Sequence, residues 1–561
     1  MQLRLIFKTL LKIACFFCID PDLSSFPSLP SVQTNYGVIE GFTFETTSGF
    51  KADVFLGIPY AKAPIGSLRF EKPLPPDKWE KPLSAKAFGA RCATYPSYDP
   101  SESEDCLTLN IVRPTNSSNS DGYPVMVFIH GGDFITGSAA DYSYQATVEN
   151  LVSRKVIFAS INYRLGPFGF YSTGNNFALG NYGLWDQIQA LKFIKEVIPN
   201  FGGNPDKITI FGESAGGASV SWLTLTPESE DLFSNAIPMS GSSQSVWANG
   251  DITVDSSKQL TRALGCDKVE DLKKCIQKVS TQDILNAAKT FISRGVLRVD
   301  TPAFSFFHPR IDGDFLDAVD FADAIRKAPK RANLIGIDSQ EDISFALDRS
   351  PSNSSKYFPL PYYKIKNFRE SVFSESVRGI LGTEEAYGNK REEASKEIID
   401  FYEKNMNYRR NFFLQTYVQI FSDIHFNVPA LREAKMKAQA GHEVYFYKYS
   451  FVPEEYADPS IEGARHGSEL LNIYSMPKKD ASETRLKTQK IFLDLFVSFA
   501  RYGKPMTTDF QVPTVPGDTV PYVDIKGDSG VGKDLWSDRV EFWDHQKKKY
   551  GFDWPSGLST L

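Results

Sequence analysis

The sequence predicts an α/β fold in which a large, mostly parallel central sheet is flanked by helices, and three observations predict it. Short apolar runs, Val125 to Ile129, Val156 to Ile161 and Ile208 to Phe211, are each bounded by Gly, Pro or Asn, the pattern of strands buried on both faces. Between the second and third runs, Trp185 to Val197 carries apolar residues at helical spacing and is ended by Pro199 and Gly202-Gly203. Strand, helix, strand in this order is the crossover unit of a parallel sheet. The chain also has the material for a large core: 561 residues, 42% apolar, with 43 Phe, 25 Tyr and 7 Trp, far more rings than a disordered chain carries.

From the amino terminus, Arg4, Lys8 and Lys12 precede the apolar stretch Ile13 to Ile19, and the chain turns polar at Asp20. This is the outline of a secretory signal over residues 1–19. Length alone would allow about three or four domains in residues 20–561, or one, since large α/β enzymes exceed the usual domain size around one sheet; the resemblance given below makes them a single domain. The sequons at Asn116 and Asn353 sit in Ser/Asn-rich, loop-like stretches and become glycosylation sites in a secreted chain. Cys15 and Cys18 would leave with the signal, and Cys92, Cys106, Cys266 and Cys275 remain. Four thiols can pair in three ways, and the economical pairing joins near neighbours, 92 with 106 and 266 with 275. Four free thiols are the alternative in a reducing compartment. Further strands are expected at Ala332 to Ile337 and Val444 to Tyr449, and the charged stretch Glu384 to Glu403 reads as a helical insertion.

Charge and composition exclude several functions. A net charge of −6 gives no reason to bind nucleic acid or an anionic membrane, and no run of 18 apolar residues exists to form a transmembrane segment. Outside the leader there is no CxxC or Cys/His cluster of metal-ligating spacing, so no metal or cofactor is expected.

Chemistry is signalled directly after the strand ITIF, by Gly212-Glu213-Ser214-Ala215-Gly216-Gly217 and an amphipathic stretch. A serine between glycines at a strand-to-helix turn suits an exposed nucleophile, since neighbours without side chains let a strained backbone close. A serine hydroxyl needs a base, and the base needs an acid to hold it. Of six histidines, His466 lies in a loop-like stretch after the late strand and is the best base. His130 precedes a Gly pair after VMVFI, a structural position beside an oxyanion loop, and the remaining four flank helical patterns. Asp338, Glu341 and Asp342, after the strand ANLIGI, are the candidate acids.

Specific blocks then carry a resemblance: Phe55 to Tyr60 (FLGIPY), Glu104 to Asn110 (EDCLTLN), Asn162 to Gly166 (NYRLG), Phe201 to Asn204 (FGGN), Phe211 to Gly217 (FGESAGG) and Arg501 to Pro505 (RYGKP). Over nearly its whole length the chain resembles the type-B carboxylesterases, the cholinesterase-like branch of the α/β hydrolases. The resemblance implies an α/β-hydrolase fold and a small-molecule ester substrate. It makes Ser214 the nucleophile, Glu341 the acid and His466 the base, with backbone N–H groups of Gly132, Asp133 and Ala215 as the oxyanion hole. It also implies the two local disulfides, 92 with 106 and 266 with 275.

The sequence departs from that pattern at Asp133 and Asp342, and Glu213 and the first disulfide loop bear on the site as well. The oxyanion loop, usually HGGG, reads His130-Gly131-Gly132-Asp133. Two like charges about 4 Å apart at an effective dielectric of about 20 interact by about 4 kcal/mol, so an inward Asp133 carboxylate would oppose acylation or position a deacylating water. The competing expectation is that Asp suits the turn and its side chain bonds local backbone away from the site. Asp342 stands where Gly commonly follows the acid. Glu213, before the nucleophile, either tunes His466 or is a buried carboxylate of the turn. Between Cys92 and Cys106 there is no Trp to hold a quaternary ammonium, and Tyr95 and Tyr98 are weak substitutes. A lipase or choline esterase of the family is one alternative reading. Another is a catalytically weakened, cholinesterase-like adhesion protein, although relatives of that kind typically lose a triad member. Acetylthiocholine is accordingly expected to show no KM advantage over neutral thioesters, measured side by side on the purified chain.

Overall fold

The computed structural model describes residues 29–94, 101–115, 120–269, 271–303 except 293–300, 305–348, 355–476, 478 and 480–559. The leader 1–19, Tyr95, Tyr98, Asn116 and Asn353 lie outside them. An eleven-stranded sheet forms the centre. In chain order its strands are β1 Phe42–Glu45, β2 Lys51–Pro59, β3 Thr108–Pro114, β4 Tyr123–Ile129, β5 Ile157–Ile161 and β6 Gly203–Glu213. They continue with β7 Asn235–Met239, β8 Ala332–Asp338, β9 Glu443–Tyr449, β10 Tyr522–Ile525 and β11 Gly530–Gly532. Across the sheet the order is β11-β10-β9-β8-β7-β6-β4-β5-β3-β2-β1. From β10 to β5 every neighbour is parallel, while β3, β2, β1 and β11 add antiparallel edges.

The five expected strands are all present. Each reads as an apolar run because both its faces are buried: Val125, Val127 and Ile129 enter the core on one side of the sheet, Met126 and Phe128 the core on the other. The first core is closed by α1 Tyr182–Val197 and α2 Ala215–Leu225, and the second by α5 Glu483–Tyr502. Two further helices, α3 Phe412–Ser422 and α4 Val428–Gln439, are joined by a π-helical turn, Asp423–Asn427. The charged stretch after Glu384 is helical as expected, broken at Gly388, where φ is +54°. Less legible were the antiparallel strands β1, β2 and β3, whose pattern is interrupted by a register shift between Phe55 and Ile58.

The segment after β5 holds the loop after β4 in place. Asn162 Oδ1 accepts from Ala139 N at 2.8 Å and from the Ser138 hydroxyl at 3.2 Å, and Gly166 N donates to Phe134 O at 2.7 Å. That segment is anchored in turn by Arg164, whose Nη2 and Nε donate to the two carboxylate oxygens of Asp186 on α1 at 2.7 and 2.8 Å. Both side chains are buried. Paired, the bidentate geometry offsets their desolvation, whereas removing one partner strands a charge in the core. Asp186→Ala is expected to cost about 3–5 kcal/mol, read as a lower urea midpoint with an unchanged slope.

Candidate active site

Four loops, the last two paired, converge at the carboxyl ends of β4, β6, β8 and β9. The first is the turn from β6 into α2. Ser214 occupies it with φ 60° and ψ −126°, a conformation that side chains rarely adopt. The turn persists because packing leaves no alternative: Ser214 N donates to Met239 O at 3.0 Å, and Ala218 N donates to Ser214 O at 2.8 Å. Gly216 presses on strand β4 so closely that a Cβ there would collide with the Ile129 carbonyl. The expectation of a strained serine between glycines is met in this geometry.

The second loop, His130 to Phe134, leaves β4 and lies against the turn. A Cβ on Gly131 would sit 2.9 Å from Ser214 Cβ and 2.6 Å from Glu213 O, so only glycine permits the approach. Ile135 N and Thr136 N both donate to Gly132 O, which curls the loop. The N–H groups of Gly132, Asp133 and Ala215 donate to no acceptor among the described residues. His130 is buried, stacked on Tyr163 with ring centroids 4.5 Å apart, and its backbone O accepts from the Tyr163 hydroxyl at 2.8 Å. Burial pushes its imidazole down to about 4, so it is a neutral structural group, as the sequence suggested.

Asp133 answers one half of its expectation and corrects the other. It takes the left-handed conformation, φ 57°, that Asp tolerates better than most residues. Its carboxyl oxygens, however, are buried and bond neither local backbone nor any other group among the described residues.

The third loop pair comes from β8 and β9. Gln340 N donates to Ala464 O at 2.8 Å, Ala464 N to the Ser339 hydroxyl at 2.9 Å and His466 N to Glu341 O at 3.3 Å, so the two loops zip together. Of the three candidate acids, Glu341 alone meets the base: its Oε2 lies 2.7 Å from His466 Nδ1. Glu341 Oε1 accepts from Asp338 N at 2.7 Å, which orients the carboxylate. Asp338 instead accepts from Ser468 N at 3.1 Å, and Asp342 faces a different histidine, His425, at 2.9 Å.

His466 Nε2 lies 3.0 Å from Glu213 Oε1, too misaligned for a hydrogen bond but close enough for strong electrostatic attraction. Neither the Ser214 hydroxyl nor His466 Nε2 makes a hydrogen bond among the described residues. Phe345 and Phe426 pack on the imidazole, with ring centroids 5.0 and 4.5 Å away. Those two rings, and Glu469 near Asp338, were not singled out in the sequence, because a Phe on a helical stripe looks like any core residue.

The electrostatics follow from four buried carboxyls, Glu213, Asp338, Glu341 and Glu469, around one imidazole. Burial draws His466 down, but Glu213 and Glu341 outweigh it and raise the ring to about 9. Burial raises Glu213 to about 7 against the opposing pull of His466. Asp338 is pushed well above the usual range by burial and by Glu469.

Both expected disulfides are formed, Cys92 with Cys106 and Cys266 with Cys275, at Cα separations of 5.0 and 5.8 Å. Among the described residues no helix is long and apolar enough to cross a membrane.

Residues 28–543 match the carboxylesterase family. Gut esterase 1 of Caenorhabditis briggsae is 36% identical over 547 residues, covering 93% of this chain and 94% of that protein. Cholinesterase of Mus musculus is 32% identical over 85% of this chain and 79% of its own. A solved structure of a PNB esterase, 27% identical, superposes with a TM-score of 0.73 over 92% of this chain and all of that one. The turn after β6, the parallel sheet beneath it and these matches agree: the chain belongs to the carboxylesterase family, has the α/β-hydrolase fold, and hydrolyses carboxylic esters.

Proposed function

We propose that the chain is a secreted serine esterase, a leader over residues 1–19 followed by one catalytic domain, that works through Ser214, His466 and Glu341 and an acyl-enzyme intermediate. The observation that carries this reading is the 2.7 Å bond from His466 Nδ1 to Glu341 Oε2 beside the strained Ser214 turn. That bond fixes the proton on Nδ1 and leaves Nε2 to serve as base. Catalysis begins with His466 Nε2 directed at the Ser214 hydroxyl. Nε2 takes the hydroxyl proton as Oγ attacks the ester carbonyl, then passes it to the departing alcohol. Water adds to the acyl-enzyme by the same proton route and releases the acid. The N–H groups of Gly132, Asp133 and Ala215 receive the oxyanion.

The absence of a Trp between Cys92 and Cys106 favours neutral esters over choline esters. The two disulfides and the leader's charge pattern support secretion.

A fluorophosphonate probe is expected to label Ser214, and Ser214→Ala to lose both labelling and turnover of p-nitrophenyl esters. Retention of either in the variant would refute the assignment. Glu341→Gln is expected to lower kcat by about 10⁴-fold, the scale for a base left in the wrong tautomer. Asp342→Asn, acting on the pair with His425, is expected to lower the thermal midpoint with far less effect on kcat.

His466 must be neutral to act as base, and its raised value of about 9 places the loss of its proton on the alkaline side of neutrality. Activity therefore rises with pH through that range. Glu213 holds the proton on, so Glu213→Gln is expected to move the acid limb of kcat/KM to lower pH, read from full pH profiles of both proteins.

A further inference from the structure

We infer that the side chain of Asp133 is a further catalytic group: its carboxyl, held as the acid, donates an O–H hydrogen bond to the ester carbonyl oxygen as that oxygen becomes an oxyanion. The inference rests on the site assigned above, in which the N–H of this same residue is one of the oxyanion donors.

Asp133 Oδ1 and Oδ2 are both shut off from solvent, and neither has a hydrogen-bond partner among the described residues. Whatever exposure the residue retains lies on its other atoms. The Ser305 hydroxyl donates to the Asp133 backbone carbonyl at 3.4 Å. No Lys, Arg or His forms an ion pair with Asp133 among the described residues. The titratable groups around the loop are His130 on the loop itself, Tyr163 and Tyr142 beside it, the Arg91–Asp141 ion pair acting on His130, and Glu213, Glu341 and His466 across the turn. His130 is neutral, and the nearest carboxylates are of like sign. Among the described residues an ionised carboxylate in this place has no cation and no N–H donor, and solvent does not reach it, which costs several kcal/mol. Burial accordingly pushes Asp133 well above the usual carboxylate range, and the Ser305 hydroxyl, close to the carboxyl but outside hydrogen-bond geometry, opposes this only in part.

A protonated acid in this position is a buried donor without an acceptor, itself an unfavourable state. The backbone adds strain, since Asp133 and Phe134 both have positive φ, 57° and 58°. A buried orphan group on a strained loop is explained if its partner arrives with the substrate. The carbonyl oxygen of a bound ester is that partner. It is brought to the Asp133 N–H, a few covalent bonds from the carboxyl, and it gains negative charge during attack. The Asp133 proton stays on the carboxyl throughout, so the transfer from Ser214 to His466 and on to the alcohol balances without it. A neutral acid also removes the repulsion that an inward carboxylate would exert on the oxyanion. Neutral carboxylic acids stabilise oxyanions in other enzymes by this means.

Acylation and deacylation rates for p-nitrophenyl acetate, resolved by burst kinetics from neutral to alkaline pH, test the inference in wild type, Asp133→Asn and Asp133→Gly. Asn keeps a donor of the same shape, so Asp133→Asn should acylate nearly as fast as wild type. Asp133→Gly should acylate roughly tenfold more slowly, less than the loss of a lone oxyanion donor because three N–H groups remain. Wild-type acylation should decline at alkaline pH as Asp133 ionises, and Asp133→Asn should lack that decline. Glycine acylating as fast as wild type, asparagine as slow as glycine, or asparagine keeping the alkaline decline would each overturn the inference. So would a defect of Asp133→Asn confined to deacylation, which marks a carboxylate base acting on water. Fluorophosphonate labelling separates the two readings: an unlabelled Ser214 in wild type overturns the site and this inference together. Labelled Ser214 with undiminished Asp133→Gly overturns this inference alone.

Discussion

The hydrogen bond between His466 Nδ1 and Glu341 Oε2 joins residues 125 positions apart in sequence, and the arrangement of the site depends on it. It can form only because β8 and β9 are parallel neighbours in register from Ala332 with Glu443 to Asp338 with Tyr449, so that the loops leaving them start side by side. The backbone bonds between Gln340, Ala464, His466 and Glu341 then fix the loops to each other before any side chain is considered. A sheet whose central strands are buried on both faces cannot slip in register without exposing apolar surface, and this makes the loop ends rigid.

That rigidity permits an arrangement water would not tolerate. Four buried carboxyls surround one imidazole, and repulsion among them is limited by sharing protons: burial and neighbouring acids raise Glu213 and Asp338, while Glu341, bonded to His466 and to Asp338 N, faces the ring directly. Glu213 Oε1, 3.0 Å from His466 Nε2, raises the proton affinity of the ring at the nitrogen that Glu341 does not hold.

Much of the fold was legible because parallel strands buried on both faces leave a plain signature, seen in VMVFI, VIFASI and ITIF. Residues with local consequences were legible too: Ser214 between glycines, and the paired cysteines, whose loops close within one segment. Glu341, Asp338 and Asp342 could not be ranked by such reasoning alone, since all three follow one strand within a few residues. Which of them meets His466 depends on the path of a loop from a different strand. The antiparallel pair β2 and β3 was obscured for a related reason, because an irregularity between Phe55 and Ile58 shifts their register.

By itself the sequence determined the α/β class, the family likeness, the candidate nucleophile and base, and the presence of an acidic residue where a glycine is usual. These follow from local spacing and residue chemistry, which the linear chain contains in full. Only the tertiary structure showed that Glu341 and not Asp342 bonds His466, that Glu213 lies near its other nitrogen, and that the Asp133 carboxyl is sealed from water with no partner among the described residues. Each of these is a question of which groups share a small volume and whether solvent reaches it, and both are set by packing between segments far apart in the chain.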